Sequence, residues 1–280
     1  MTGASISSEY VEVDGIRLHY LDGGSGDAVL FLHGWPTSSF LWRNIVGPIA
    51  ENNRILALDL PGFGQSDKPL DASYSFRFFQ QILEGFLDAV NVEATSLVVH
   101  DLGGPIGLFW ASHHPDKLQK LALLNTLVYP KQPWAVILFV MACRTPGVRA
   151  WLSGPRGLRF SMRLGIHDRS HATEEMIKGV QAPFETKAAR KALLKAACNL
   201  HPQGLARIAH KLPSLKAPVR IIYGEHDRIL PDVAQTMQQV VGDMPQAEVT
   251  SLDCGHFLQE EQPEEIARML ADFFGAEVKG

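Results

Sequence analysis

Eight consecutive residues constrain this chain more than any others: Leu97-Val98-Val99-His100-Asp101-Leu102-Gly103-Gly104. A short apolar strand ends at His100, a glycine pair follows, and Pro105-Ile106-Gly107-Leu108-Phe109-Trp110-Ala111 opens an apolar helix. A strand that turns this sharply into a helix pushes one side chain out over the carboxyl edge of its sheet, and Gly103 and Gly104 let the two elements approach closely enough to hold the turn. The side chain pushed out is the carboxylate of Asp101. A serine must lose a proton before it attacks, whereas an aspartate is already ionised at neutral pH. The pattern therefore points away from ester hydrolysis by a hydroxyl and towards attack on an electrophilic carbon, one carrying a halide or an epoxide oxygen. The competing reading is structural, with Asp101 as the cap of the helix that follows.

The surrounding pattern says what kind of sheet carries this elbow. Tyr10–Val13 and Ile16–Tyr20 alternate around Asp14-Gly15 and read as a β-hairpin. Runs rich in Val, Ile and Leu then recur at Ala28–Leu32, Ile55–Leu58, Ser96–His100, Leu121–Leu124, Val219–Tyr223 and Glu248–Leu252. Near-continuous apolar runs are buried on both faces, as parallel strands are. Helical periods at Phe76–Val90, Leu102–His114, Pro231–Val241 and Glu261–Phe274 fill most of the gaps. The expected fold is α/β, a doubly wound, mostly parallel sheet that binds ligands beyond its carboxyl edge. About ninety residues between Leu124 and Val219 hold no convincing strand, too many for one connection. We therefore expect a core of residues 1–126 and 211–280 with a helical cap, 127–210, inserted between them. Charge changes at the same boundaries: residues 127–210 hold 13 Lys and Arg against 4 Asp and Glu, in a chain whose net charge is −4.

Several function classes fall away. The N-terminus Met1-Thr2-Gly3-Ala4-Ser5 has neither the basic nor the apolar region of a signal peptide, and the longest apolar stretch, Trp134 to Cys143, is ten residues, too short to cross a bilayer as a helix. Cys143, Cys198 and Cys254 are odd in number and widely spaced, which argues against a disulfide framework and for a reducing cytoplasm. The histidines His167, His171, His201 and His210 form no dense ligand motif, so no metal is expected. No phosphate loop and no basic stripe with aromatics points to a nucleotide or nucleic acid. A small-molecule substrate and no cofactor are left.

Further motifs sit just past strand ends. Phe31-Leu32-His33-Gly34-Trp35-Pro36 follows one strand, with the Trp35 N–H placed to pair with that of Leu102 as an oxyanion hole; Gly224-Glu225-His226-Asp227 and Asp253-Cys254-Gly255-His256-Phe257 follow two others. Asp101, Asp227 and His256 thus occur in the order nucleophile, acid, histidine. His100 reads as a structural neighbour, Glu225 as a competitor of Asp227, and Asn125 as a residue at a strand end where it cannot ionise.

At this point the chain resembles the α/β-hydrolase superfamily, and within it the haloalkane dehalogenase and epoxide hydrolase group, across nearly the whole core. The likeness to haloalkane dehalogenases is closest over residues 33–44 (HGWPTSSFLWRN) and 224–233 (GEHDRILPDV), with a weaker match in the cap from Ala172 to Phe184. It implies that Asp101 is the nucleophile, Asp227 the acid and His256 the base that activates water. Two departures stand out. Haloalkane dehalogenases of this kind place a Trp directly after the nucleophile, and a second Trp in the cap or an Asn after the His-Gly pair, to bind the leaving halide. Here those first and last positions hold Leu102 and Trp35, which leaves the Trp35 indole, Trp134 and Trp151 as candidate donors. Epoxide hydrolases use two cap tyrosines, and the cap holds Tyr129 alone. The expected reaction is carbon–halide hydrolysis through a covalent ester. Epoxide hydrolysis and a degenerate, ligand-binding hydrolase are the alternatives.

Overall fold

The structure, a computed structural model, describes residues 5–275. Its sheet holds eight strands among these residues: β1 Ile6–Val13, β2 Ile16–Gly23, β3 Ala28–Leu32, β4 Arg54–Leu58, β5 Thr95–Asp101, β6 Leu118–Thr126, β7 Val219–Gly224 and β8 Ala247–Leu252. They lie side by side in the order β1-β2-β4-β3-β5-β6-β7-β8. The β1–β2 hairpin is antiparallel and β2 meets β4 antiparallel, whereas every pair from β4 across to β8 is parallel.

The apolar runs are continuous because each central strand feeds two cores. Leu30, Leu32, Leu56, Leu58, Leu97 and Val99 point into one hydrophobic layer, and their chain neighbours Val29, Phe31, Ile55, Ala57 and Val98 into the other. Each such Leu, Ile, Val or Phe side chain contributes roughly 1.5–3 kcal/mol on burial, which makes strand register expensive to change.

The helices are α1 Val46–Ile49, α2 Phe76–Ala89, α3 Gly103–His113, α4 Trp134–Arg144, α5 Val148–Leu152, α6 Pro155–Gly165, α7 Glu174–Gln181, α8 Lys187–Cys198, α9 Pro202–Lys211, α10 Val233–Asp243, α11 Leu258–Glu261 and α12 Pro263–Gly275. Helices α4 to α9 fill the interval between β6 and β7, with no strand among the described residues there. The last of them, α9, packs on α3, and Gly204 lies so close to the Phe76 ring that a methyl group would not fit. Helix α8 packs on α4 and brings Cys198 beside Cys143, far apart in the chain.

The strand order reverses between β3 and β5. From β3 the chain moves outward to β4, and from β5 it moves the other way to β6. A crevice opens at such a switch point beyond the strands' carboxyl ends. The loops that enter it are the one after β3, carrying His33-Gly34-Trp35, and the elbow after β5.

Candidate active site

Asp101 ends β5 with φ +49°, a left-handed conformation that costs a non-glycine residue of order 1–3 kcal/mol. Its surroundings over-determine that geometry. A Cβ on Gly34 would fall 2.3 Å from the Asp101 Cβ, and one on Gly104 would fall 1.6 Å from Thr126 Oγ1. Thr126 Oγ1 in turn donates to the Asp101 carbonyl at 2.7 Å. The carboxylate does not cap α3, whose N-cap is Leu102 without a side-chain bond. Instead its Oδ1 accepts the Trp35 N–H at 2.7 Å, and the neighbouring Leu102 N–H also favours the ionised carboxylate.

The strand ends bring Asp227 and His256 to this carboxylate. His256 Nδ1–H donates to Asp227 Oδ2 at 2.8 Å, and His256 Nε2 lies 3.5 Å from Asp101 Oδ2. Asp227 is fully engaged: Oδ1 accepts the N–H groups of Ile229 and Leu230 at 2.7 and 2.8 Å, and Oδ2 also accepts Asn125 Nδ2 at 2.7 Å. Asn125 is itself fixed by the Gly224 N–H, which donates to its Oδ1 at 2.9 Å. Glu225 is exposed and accepts from Ser251, so it does not compete for the histidine.

The His100 ring packs against that of His256, and burial drives its pKa down to about 3, aided by the charge of His256. The ring is therefore neutral, and its Nε2–H donates to the His256 carbonyl at 2.9 Å. His33 is neutral for the same reason, burial. It accepts the Leu60 N–H at Nε2 and donates from Nδ1 to the Gly34 carbonyl, which fixes the loop that presents Trp35. Below that loop, buried Asp59 accepts from Ser39 N–H, Gln65 N–H and His19.

Burial alone would lower the pKa of His256, but the charge of Asp227 and the hydrogen bonds and charge of the two carboxylates outweigh it and push it up to about 10. Burial would raise Asp101 and Asp227, yet the hydrogen bonds and charge of His256 hold both below the usual carboxylate range. The resting site is thus an imidazolium between two carboxylates. The stability contributed by the raised histidine is complete below its unfolded pKa of 6.5 and disappears as pH rises through about 10. The carboxylates' contribution is present above 3.8 and lost as pH falls through their depressed values. Imidazole NMR should find His256 protonated at pH 8, with Asp227→Asn moving its titration downwards. A neutral His256 ring at pH 7 in the resting wild-type protein would contradict this charge arrangement.

Above Asp101 lies a cavity of about 480 Å³ lined mainly by apolar side chains from the β6–β7 segment, with Trp35, Leu102, Trp134 and Trp151 among them and Arg228 as its cation. The Trp35 ring packs edge-on against Phe139, and its buried Nε1–H finds no acceptor on the described protein. Trp134 and Trp151 line the same space. Tyr129 does not: it is buried elsewhere and its hydroxyl donates to Asp243 Oδ2 at 2.7 Å.

One donor group lies outside this cavity. His167, just past α6, stacks on His226 with ring centroids 4.0 Å apart, and His226 Nε2 is 2.8 Å from Asp253 Oδ1. One ligand atom from each of the three lies within 4.8 Å of the others, a spacing that a small rearrangement would bring to a metal ion. Histidines read within the β6–β7 segment alone give no sign of this grouping, because two of its members come from the loops after β7 and β8.

Comparison with known proteins agrees with this architecture. Residues 27–149 match the alpha/beta hydrolase fold family. The chain is 31% identical to the uncharacterized hydrolase YugF of Bacillus subtilis over 93% of its own length and 95% of that protein. It is also 31% identical to a haloalkane dehalogenase of Agrobacterium fabrum, covering 91% of this chain and 88% of the relative. The crystal structure of haloalkane dehalogenase DatA from Agrobacterium tumefaciens superposes with a TM-score of 0.85 at 28% identity, over 97% of each chain. With the parallel sheet, the elbow at its switch point and two near full-length relatives in agreement, the chain belongs to the α/β-hydrolase family, in its haloalkane dehalogenase group, and is an enzyme.

Proposed function

We propose that this hydrolase cleaves a carbon–halogen bond through a covalent ester on Asp101. The observation that carries the reading is the position of the Asp101 carboxylate: Oδ1 bound by the Trp35 N–H, the Leu102 N–H beside it, Oδ2 near His256, and an apolar cavity above it. Oδ2 attacks the substrate carbon and the halide leaves with the bonding electrons. The Trp35 N–H already holds the oxygen that becomes the ester carbonyl and then the oxyanion, with the Leu102 N–H beside the carboxylate, so this donor is in place as charge develops there. Helices from the interval 127–210 act as the cap, closing an apolar space that excludes bulk water.

Alkylation also changes the histidine. The ester of Asp101 is neutral, so His256 loses one of the two anions that hold its proton, its pKa falls, and that proton leaves to solvent with the departing halide. The neutral imidazole then takes a proton from water, which attacks the Asp101 carbonyl carbon and releases the alcohol. Asp227 orients the ring and stabilises the imidazolium that forms, and Asn125 holds Asp227 in place.

Two observations favour halide over epoxide. The Trp35 ring lines the same cavity as Asp101 and its buried Nε1–H lacks an acceptor, which leaves it free to donate to a departing halide. The cap tyrosine that would protonate an epoxide oxygen is committed to Asp243. A bound but unreacting ligand, the degenerate alternative, leaves the complete Asp101–His256–Asp227 chain without a purpose.

A panel of haloalkanes, haloacids and epoxides, scored for halide and for alcohol or diol, tests the substrate class. The covalent route is tested by a single turnover in ¹⁸O-water with excess enzyme. The product's new oxygen should be unlabelled, because it comes from Asp101, and the label should appear in the Asp101 peptide. Label entering the alcohol in that first turnover would mean direct attack by water.

A further inference from the structure

An amphipathic helix on a protein surface ordinarily turns its polar side to water. Helix α4 has no polar side before Arg144 and turns an apolar face outwards as well as inwards. Trp134, Ile137, Leu138 and Met141, spaced three and four apart on one face, are exposed, Trp134 by 67% and Met141 by 58%. Trp151 on α5 and Phe160 on α6 extend the patch, and their rings pack together 5.5 Å apart. Large apolar side chains gathered on one face mark an interaction surface. Trp134, Leu138, Trp151 and Phe160 also line the cavity over Asp101, so the apolar surface runs unbroken from the outside into the site.

The charges on the helices that build the patch have one sign. From residue 117 to residue 167 the chain contains no Asp or Glu. Lys131, Arg144, Arg149 and Arg156 are exposed in and around the patch, and none makes an ion pair among the described residues, whereas Arg159 and Arg163 turn to Glu174. Against a second copy of the chain, a two-fold contact would bring this basic rim onto itself. Against an anionic lipid surface, the same rim is complementary and the apolar stripe enters the headgroup–acyl boundary, with Trp134 and Trp151 as side chains suited to that depth. At eleven residues, α4 is too short to cross a bilayer, and no described helix is long and apolar enough to do so.

We propose that the face built by α4, α5 and α6 docks on an anionic membrane surface and opens the cavity to the lipid phase. Docking is independent of which bond Asp101 breaks. The substrate class it implies, an electrophile with an apolar chain that partitions into the bilayer, rests on the reaction proposed above.

The test is flotation of the intact protein with phosphatidylcholine vesicles, with and without phosphatidylglycerol, so its outcome does not depend on turnover. Wild-type protein should float with the anionic vesicles, with a blue shift of tryptophan fluorescence, and should dissociate at high salt. Ile137→Asp with Met141→Asp, and separately Arg144→Glu with Arg149→Glu, should each weaken partitioning by at least about tenfold while leaving the circular dichroism and melting temperature near wild type. None of these four side chains lines the cavity. No flotation, or equal binding to neutral vesicles, would overturn the proposal. So would a wild-type dimer in sedimentation equilibrium that the Ile137 and Met141 substitutions split, because a second copy would then cover this face. Failure of the substrate panel with vesicle binding intact would count against the reaction alone.

Discussion

His256→Ala is expected to stop the enzyme halfway, with one equivalent of substrate-derived ester on Asp101 and steady-state turnover reduced about 10²–10⁴-fold. The first half-reaction needs no base. Asp101 keeps the Trp35 and Leu102 N–H donors in this variant, and both favour the ionised carboxylate. Losing the imidazolium removes a charge that stabilises the anion but also one that restrains it as a nucleophile. Water at the ester, in contrast, has no other base within reach in the described site. Asp227 is occupied by the N–H groups of Ile229 and Leu230 and by Asn125, and lies on the far side of the missing ring. Asp101→Asn should form no adduct, because a neutral amide is a poor nucleophile. Intact-protein and peptide mass spectrometry after incubation with a reactive haloalkane reads both outcomes, and thermal melts show that each variant is folded. An adduct on another residue, or sustained turnover in Asp101→Asn without deamidation, would remove Asp101 from the reaction.

The elbow was legible because each part of it is a local signal: an apolar strand, an aspartate, two glycines and a helix within a dozen residues. The parallel strands were legible for a related reason. A strand such as Val29–Leu32 that feeds two cores has no polar face, and so stands out against amphipathic helices. Asp227 and His256 could be placed by order along the chain, since both follow strands whose carboxyl ends converge. What the sequence concealed depends on partners distant in the chain. Asn125 looked like an acid position without an acid, whereas its amide joins Gly224 to Asp227 and steadies the histidine's partner. Tyr129, read as a substrate contact, is drawn away by Asp243, 114 residues later. Trp134, at a spacing that usually marks a core side chain, is exposed, because nothing among the described residues covers that face of α4. His167 and His226 stack across the boundary between the helical segment and the sheet, where no local pattern joins them.

Trp35→Phe should slow carbon–halogen cleavage by about 10²–10³-fold and leave ester hydrolysis nearly unchanged, since one preorganised donor to developing charge is worth about that much. The substitution separates two roles held by one residue. The backbone N–H of Trp35, whose nitrogen is 2.7 Å from Asp101 Oδ1, survives and would continue to serve the oxyanion of the proposed second step. Phenylalanine retains a ring against Phe139, so the cavity wall persists. Only the indole Nε1–H is lost. Rapid-quench measurement of ester formation, apart from its decay, should therefore show the loss in the first phase, and more strongly for chloride than for iodide, whose diffuse charge gains less from a hydrogen bond. A donor supplied elsewhere on the cavity wall should compensate. Leu102 borders the cavity directly after Asp101 and has no side-chain donor, so Leu102→Trp introduced into Trp35→Phe should recover part of the lost rate. Equal slowing of both phases would make Trp35 a structural wall, and an unchanged first phase would place the leaving group elsewhere in the cavity.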